Sequence, residues 1–447
     1  MADKLLIRLF DVGLGDCIYC RIPNAHSDGR DFHILIDCGT LSSTDYLAKA
    51  IEKLESFLPK IDGKRHVDLL VVTHEHKDHM TGFGMQLWDG LSFGAIWMSA
   101  AMNLDHPEAE RAKKLHAFAA VAMQRALSLN LALGPQLTEL ASALALNEDA
   151  MATLRETLPE ANEIDPIYVH SKSTRKELAL PLKGATVSVI GPENDIDFYY
   201  LGKKGDPSLR SLLGFIDTGL PDPATAVPGP GAVPVPANVD PADFRQLRSR
   251  MLSTALAFAD LDGKVCNNTS VILLIEWKGR RLLFVGDAEW DGAYKEGEKA
   301  NCSWNVMWNK RKKQLDAPVA FYKIGHHGSV NATPWGQTPA ASKGEPLAIL
   351  NGILPVTSKS QAKAIVSTRR GNYETIPRTD LLAEIGTRVS GGRNYADAFK
   401  KAGLKTSDVP KFAEFESKSF AKSQPRRTDL ERMLDPSKPY VEIEIAP

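Results

Sequence analysis

The chain has 447 residues, of which 43% are hydrophobic and 24% are charged, so it can bury a large core and hold two or three domains. No apolar stretch approaches the roughly 18 residues of a membrane span, and no apolar run follows a basic start. We therefore expect a cytoplasmic protein without a membrane span. The five cysteines are scattered and odd in number, which does not fit a disulfide framework.

The net charge of −1 hides an asymmetry between two parts of the chain. From Asn301 to Pro447 there are 23 Lys and Arg but only 14 Asp and Glu. A basic C-terminal third could attract a polyanionic substrate, guided by Arg369, Arg370, Arg426 and Arg427. It could equally be a solvated surface of uneven sign. Charge alone does not decide between these interpretations.

The first predicted elements are strands separated by turns, followed by a helix. Gly13 and Gly15 mark the turn between the first two strands, and Asp37 comes at the end of the third strand, before Gly39. An aspartate in that position can reach inward from a buried strand. The predicted strands and the amphipathic helix cover Leu5–Phe10, Cys17–Ile22, His33–Ile36 and Asp45–Leu58.

Residues of the types that bind metals crowd the end of the next strand. Leu69–Val72 is a continuous apolar run typical of a buried strand, and His74, His76, Asp78 and His79 follow within six residues. Because a loop can turn alternate side chains the same way, His74 and His76 can converge on one ion. Asp78 and His79 can then reach a second ion. Imidazole and carboxylate are ligands that zinc takes, so the spacing predicts a metal site.

Two stretches are predicted to be insertions into the core. Glu108–Leu158 is rich in Ala and Leu and has one break at Gly134-Pro135, which indicates two or three helices. These helices could form a lid, a rest for substrate or a dimer contact. Seven prolines between Gly219 and Pro241 favour an extended excursion of the chain.

Further polar residues follow strands in the second half of the chain. A predicted hairpin, Thr269–Trp277 with Arg281–Val285, ends at Gly286 and Asp287. The predicted strand Pro318–Ile324 comes just before His326 and His327. Near the end of the chain, Val441–Ile445 alternates apolar and acidic residues, which favours pairing with a sheet edge.

These motifs resemble those of the metallo-β-lactamase-fold hydrolases, whose signature is the H-x-H-x-D-H pattern at residues 74–79. Three further stretches resemble, in the same order, motifs of the soluble hydrolase domain of the ComEC DNA-uptake family: DVGLGDC at 11–17, LLFVGDAE at 282–289 and YKIGHHGS at 322–329. The resemblance implies an α/β fold, the αββα four-layer sandwich, over residues 1–390. A helical insertion at 100–165 and a Pro-rich insertion at 200–264 would interrupt it, and a basic extension would follow at 391–447.

The resemblance also implies two divalent metal ions, zinc or alternatively manganese, with Asp287 bridging them. The implied metal ligands are His74, His76, Asp78, His79, Asp287 and one of the pair His326 and His327. Many members of the fold use one more histidine, for which His106, His116 and His170 are available here. Which of these histidines binds metal is left open.

Other residues receive roles from the same resemblance. Asp37 would accept a hydrogen bond from a metal-binding histidine and fix the orientation of its ring. Ser329 and Asn372 would contact a phosphate of the substrate. One departure concerns the family's N-x-Y-G-H-P motif, because Ile376 replaces its histidine. The catalytic group would comprise Asp78, Asp287 and His327.

Two bound divalent cations would lower the pKa of a water toward neutrality and neutralise charge on a phosphoryl oxygen. The expected function is therefore that of a phosphodiesterase or nuclease acting on nucleic acid, with DNA favoured. One alternative is hydrolysis of a small phosphoester or cyclic nucleotide. Another is a binding protein with a vestigial metal site. A homo-oligomer or a partner protein from the same operon is also compatible with the sequence.

Overall fold

The computed structural model describes residues 3–128, 147–202, 257–291, 294–335, 345–369, 376–391, 428–435 and 437–447, with single positions at 240, 397, 400, 401 and 403. Asn372, most of the predicted Pro-rich insertion and most of the predicted C-terminal extension lie outside the described residues. Within the described part of the chain, no helix has the length and apolar character needed to cross a membrane.

The strands are β1 Leu5–Phe10, β2 Cys17–Ile22, β3 Phe32–Cys38, β4 Lys60–Ile61, β5 Lys64–Val67, β6 Leu69–Val72, β7 Leu91–Phe93, β8 Ile96–Ser99, β9 Ile167–Val169, β10 Ala185–Gly191, β11 Ile272–Trp277, β12 Arg280–Phe284, β13 Phe321–Lys323, β14 Lys363–Ile365 and β15 Tyr440–Ile445. The helices are α1 Thr44–Glu55, α2 Lys77–Met80, α3 Glu110–Ser128, α4 Glu148–Ala152, α5 Leu158–Asn162, α6 Ser303–Leu315, α7 Glu345–Ile353, α8 Thr379–Arg388 and α9 Leu430–Met433. Residues 257–268 are also helical.

These elements make a mixed α/β fold with two large sheets and a small one. The first sheet has the strand order β15-β1-β2-β3-β6-β8-β9, and its strands from β3 to β9 are parallel. The second has the order β10-β11-β12-β13-β14, in which β12, β13 and β14 are parallel. The small sheet consists of β4, β5 and β7.

Local sequence explains the elements that lead to residues 73–80, where metal ligands were predicted and which are called the metal-binding loop below. All four residues of β6 are buried, as expected for a parallel strand covered on both faces. Helix α1 begins at Ser43, whose side chain accepts a hydrogen bond from the Asp45 amide. Its buried residues Leu47, Ile51 and Leu54 recur at helical spacing and pack the helix onto the first sheet.

Apolar side chains from the two large sheets meet in one buried cluster. Ile34 and Val71 of the first sheet share this cluster with Leu273 and Phe284 of the second. A second cluster joins the first sheet to α1, and a third joins the second sheet to α6, α7 and α8. Full burial of each such side chain stabilises the fold by roughly 1.5–3 kcal/mol.

The two sheets are also tied together at the carboxyl ends of their parallel strands. The Val271 amide donates to the Thr73 carbonyl at 2.9 Å, and Ser99 Oγ donates to the Thr269 carbonyl at 2.6 Å. Loops leaving β3, β6, β12 and β13 therefore meet at one edge of the molecule. This edge carries the polar residues that the sequence singled out.

Candidate metal centre

Six buried side chains with metal-binding atoms converge from three loops. His74 follows β6, Asp287 follows β12, and His327 follows β13, so residues far apart in sequence become neighbours. Asp78 and His79 lie on the short helix α2, which begins directly after His76. A strand that ends at a fixed position in a sheet gives the following loop a rigid base, which suits a metal site.

The described residues form three groups whose ligand atoms could hold an ion. One of them, Asp16, Asp37 and His79, is already joined to Lys323 and Thr73, and the other two, called the ligand sets, overlap. Asp78, His79, Asp287 and His327 form one set, and His74, His76 and Asp287 form the other. Within each set, all the ligand atoms lie within 4.8 Å of one another, and every residue is buried. The Asp287 carboxylate belongs to both sets. A cation in each set would therefore share Asp287 with its neighbour.

Unpartnered atoms test whether these residues fit metal ions. His74 Nε2, His76 Nε2, His79 Nε2 and Asp78 Oδ1 are buried and have no hydrogen-bond partner. Buried polar atoms are nearly always paired, and leaving each one unpaired costs about 1–3 kcal/mol. Four such atoms facing one small space, all of types that bind zinc, fit a site for divalent cations.

Asp37 contacts His79 through the ring nitrogen that does not face the ligand set. Its carboxylate lies 2.8 Å from His79 Nδ1, which leaves His79 Nε2 free to face the ligand set. The same carboxylate accepts hydrogen bonds from the amide and the hydroxyl of Thr73, both at 2.7 Å. Asp37 thus fixes the ring of His79 and the start of the metal-binding loop together.

The two histidines of the HHGS motif have different surroundings. His327 Nε2 lies 2.6 Å from Asp78 Oδ2, and its Nδ1 lies 2.9 Å from the Thr368 hydroxyl. His326 points toward Glu289, at 3.3 Å, and among the described residues it belongs to neither ligand set. The geometry thus brings His327 to the centre and leaves His326 beside it, which the sequence alone did not distinguish.

Two glycines bring the loop after β1 against the metal-binding loop. A Cβ atom on Gly39 would overlap the backbone of Asp78 and His79, and one on Gly15 would overlap the Gly39 carbonyl. In this close approach the Asp16 amide donates to the Asp78 carbonyl at 2.9 Å. Gly15 of the first motif and Gly39 after β3 are therefore required by contact between backbones.

Sequence reasoning missed a buried ion pair behind the ligand sets. Lys323 Nζ lies 2.5 Å from Asp16 Oδ2, and both side chains are 1% exposed. Ser367 Oγ donates to the other oxygen of Asp16. Asp16 Oδ2 is also 3.9 Å from His79 Nδ1. Asp16 lies in the first motif and Lys323 in the last, and their places in these motifs were the signal that the sequence offered. Buried aspartate and lysine side chains are usually paired.

The electrostatics of the centre favour added positive charge. Burial lowers the pKa of His74 well below its ordinary value, and the neighbouring His79 and His76 lower it further. Burial also opposes protonation of His79, but the carboxylates of Asp287, Asp37 and Asp78 outweigh it and raise the pKa of His79 well above normal. A cavity that draws a proton onto a buried imidazole also attracts a divalent cation, which would displace that proton.

The charges around the ligand sets also change the pKa of Asp16. Burial alone would raise the pKa of its carboxyl group, but the positive charges of Lys323 and His79 hold the pKa below its ordinary value. The Asp16 carboxylate is therefore ionised at neutral pH and completes the ion pair with Lys323.

The remaining predicted residues are not members of the ligand sets. His106 Nδ1 accepts from the Glu108 amide, and His170 Nδ1 accepts from the Lys172 amide. His116 lies 2.9 Å from Asp262 and 3.4 Å from Glu75. Among the described residues, none of these three histidines joins a ligand set. Ser329 Oγ donates to Asn331 Oδ1 at 2.7 Å, and Ile376 is buried.

No protein-family model matches the chain, and no curated protein matches it in sequence. The resemblance based on four short motifs therefore stays a prediction. What the described residues provide is a buried cluster of imidazole and carboxylate groups able to hold metal ions.

Proposed function

We propose that the protein is a metal-dependent hydrolase of phosphodiesters that uses two divalent cations. The observation that carries this proposal is the pair of buried ligand sets that share Asp287. The unpartnered imidazole and carboxylate atoms within them support it, because zinc takes such ligands and manganese is an alternative.

The proposal assumes the four-layer αββα sandwich of the metallo-β-lactamase-fold hydrolases. The apolar cluster shared by the two large sheets supports two facing layers of strands. The clusters that join each sheet to its own helices support a helical layer outside each sheet. The ligands come from the strand ends at which the resemblance expects them.

In this proposal His74, His76 and Asp287 hold one cation, and Asp78, His79, Asp287 and His327 hold the other. Bound there, the cations supply hydroxide at neutral pH and neutralise charge that develops on the phosphoryl oxygens. The chain lacks a recognisable Gly-x-Ser-x-Gly nucleophile motif, which fits a reaction without a protein nucleophile.

The surrounding residues keep the ligands in place and in the right protonation state. Asp37 accepts a hydrogen bond from His79 Nδ1–H, so that Nε2 keeps its lone pair for a cation. The hydroxyl of Thr368 lies 2.9 Å from His327 Nδ1 and orients that ring in the same way. Burial of the whole group excludes bulk water and strengthens its electrostatic interactions. Ser329, at the adjoining turn, is proposed to contact a phosphate oxygen.

Nucleic acid is the substrate that the motifs favour, but the basic C-terminal third gives this choice little support. Of the arginines expected to guide a polyanion, Arg370, Arg426 and Arg427 lie outside the described residues. Arg369 forms an ion pair with Asp11. Arg311 likewise pairs with Glu193. These two arginines therefore have partners within the chain, and hydrolysis of a small phosphoester or cyclic nucleotide is the second candidate.

Metal analysis combined with cleavage assays tests the proposal. The purified full chain should bind two equivalents of zinc or manganese and hydrolyse bis-p-nitrophenyl phosphate. Asp78→Ala should lose one equivalent, because it removes a ligand of one set only. Its activity should fall by more than the roughly 10–100-fold that is typical for loss of an outer partner of a metal ligand. Asp89→Ala, at an exposed position, is the matched control.

Two results would contradict the proposal. If Asp78→Ala retained its full metal content, the ligand assignment would be wrong. If the wild-type protein bound metal but cleaved neither DNA, RNA nor the aryl phosphodiester, a binding protein with a vestigial metal site would be the better interpretation.

A further inference from the structure

A cavity of about 430 Å³, called the recess below, adjoins the metal-binding loop. Glu75 lies between His74 and His76 in sequence, and its side chain forms part of the wall. The other walls come from α3, α4, the helical residues 257–268 and the turn after β8. The volume of the recess lies within the roughly 300–1,000 Å³ of sites for small molecules.

The walls of the recess are mainly apolar. Met102, Leu104, Ala112, Met151 and Val265 contribute side chains to it. Leu104 is 65% exposed, so a ligand can reach it. Burying apolar surface against such walls stabilises a complex by about 25 cal/mol per Å². The recess is therefore built to receive an apolar group.

The two cationic side chains in the wall are already engaged by the backbone. Lys113 Nζ donates to the carbonyl oxygens of Asn103, at 3.2 Å, and His106, at 3.1 Å. Arg155 Nη2 donates to the Met102 carbonyl. The Lys113 ammonium is thus committed to backbone carbonyls, whereas Arg155 Nε is buried without a hydrogen-bond partner.

Acidic groups dominate the remaining polar surface. The buried carboxylate of Asp262 lies 2.9 Å from His116 Nδ1, and Glu75 Oε2 lies 3.4 Å from His116 Nε2. His116 is thus held between two carboxylates. Glu148 and Glu156 add exposed negative charge to the wall. A second phosphate in this space would meet like charges.

We propose that the recess binds an uncharged, largely apolar group of about nucleoside size, esterified to the phosphate that lies at the metal centre. The inference rests on the proposed function and narrows its substrate class to phosphodiesters with a single charged phosphate. A longer nucleic acid would bring neighbouring phosphates against Glu75, Glu148 and Glu156. The recess thus discriminates against a polyanion by charge as well as by size.

Substitutions that narrow the recess test whether it binds such a group. Ala117 and Ala152 line it and are exposed, so tryptophan at either position can fill the space without disturbing the core. Thr157, exposed in the same insertion but outside the recess, is the matched control for Thr157→Trp. The substrates are thymidine 5′-(p-nitrophenyl phosphate), methyl p-nitrophenyl phosphate and a single-stranded DNA oligonucleotide, each with the metal-loaded full chain.

For the wild type, kcat/KM should be at least about tenfold higher on the thymidine ester than on the methyl ester, because the recess contributes binding energy remote from the reacting phosphate. Ala117→Trp and Ala152→Trp should abolish that preference and leave the methyl ester reaction and the metal content unchanged. Thr157→Trp should behave as the wild type. Calorimetric binding of thymidine 5′-phosphate, which needs no turnover, should weaken at least about tenfold in the two recess variants only.

Equal losses on both esters, or an oligonucleotide cleaved with higher kcat/KM than the thymidine ester, would overturn the inference and leave metal-dependent hydrolysis intact. If no substrate is cleaved by any form, the proposed function fails, and calorimetry still decides the recess. Weakened binding in the two recess variants alone would then support the recess as a ligand site. Unchanged binding of thymidine 5′-phosphate to the two recess variants, or no binding to the wild type, would overturn the inference.

Discussion

Gly39 packs its backbone directly against the metal-binding loop, where a side chain would overlap Asp78 and His79. We expect Gly39→Ala to lower the free energy of unfolding by about 1–3 kcal/mol, as overpacking does elsewhere. It should also lower the metal content, because the two ligands must move. Thermal unfolding and elemental analysis measure these effects. Gly90→Ala is the control, because its new Cβ would meet only Glu55 Oε1, at 3.6 Å. Equal losses of stability and metal in both variants would contradict overpacking as the cause.

The buried ion pair of Lys323 and Asp16 leads to a second prediction at this scale. Lys323→Met leaves the Asp16 carboxylate buried without its cation, which should cost about 3–5 kcal/mol of stability. Combining it with Asp16→Asn removes the stranded charge and should restore most of that loss. Chemical denaturation of both variants gives the comparison. A double variant as unstable as Lys323→Met would show that the charge of Asp16 is not the cause.

Residues within one loop were easier to predict than partners from distant segments. His74, His76, Asp78 and His79 lie within six residues, so their spacing alone indicated a shared site. The pairing of Lys323 with Asp16 spans 307 residues, and no local pattern encodes it. The same holds for His116 and Asp262, which meet only because two predicted excursions of the chain pack together.

At the scale of elements, apolar patterning predicted the positions of strands better than their ends. β1 and β2 have the bounds expected from the sequence. β13 is shorter than the expected Pro318–Ile324, because the Val319 amide donates to the Ile353 carbonyl outside the sheet. Helix α1 ends at Glu55, before the predicted Leu58. The hydroxyl of the next residue, Ser56, donates to the Lys53 carbonyl and ends the last turn.

The pairing of β15 with β1 gives a prediction for an element. Ile443 is paired with Ile7 and lies in the cluster shared by the two large sheets. Ile443→Ala should lower the free energy of unfolding by about 2–5 kcal/mol, because it leaves a cavity in that cluster. Glu444→Ala, on the opposite face of the strand, removes an exposed ion pair with Lys4 and should cost less than about 1 kcal/mol. If Ile443→Ala lowered the free energy of unfolding no more than Glu444→Ala does, the side chain of Ile443 would add little, and β15 would contribute through its backbone.

For the whole molecule, the charge asymmetry of the sequence becomes complementarity between parts of the chain. Lys323, Arg311 and Arg369 of the basic third pair with Asp16, Glu193 and Asp11 of the acidic part. A sequence shows how much charge each segment carries but not which surfaces come together. The described ion pairs therefore account for part of the basic excess without an external polyanion.

Metal removal should change the stability of the whole molecule. Cations that bind the folded chain at 100 times their dissociation constant would stabilise it by about 2.7 kcal/mol. Chelation should therefore lower the melting temperature, and added zinc should restore it. The difference should shrink from pH 8 to pH 6, because protons compete with cations for the histidine ligands. A melting temperature independent of chelator at both pH values would contradict a structural contribution from metal.

The turn after β13 has a consequence for how the sequence can evolve. His326 and His327 have φ values of +40° and +51°, a left-handed conformation that glycine adopts without steric cost and that costs other residues roughly 1–2 kcal/mol each. Selection for stability alone would replace both histidines with glycine. A lineage released from any need for these imidazoles would therefore gain stability by taking glycine at either position.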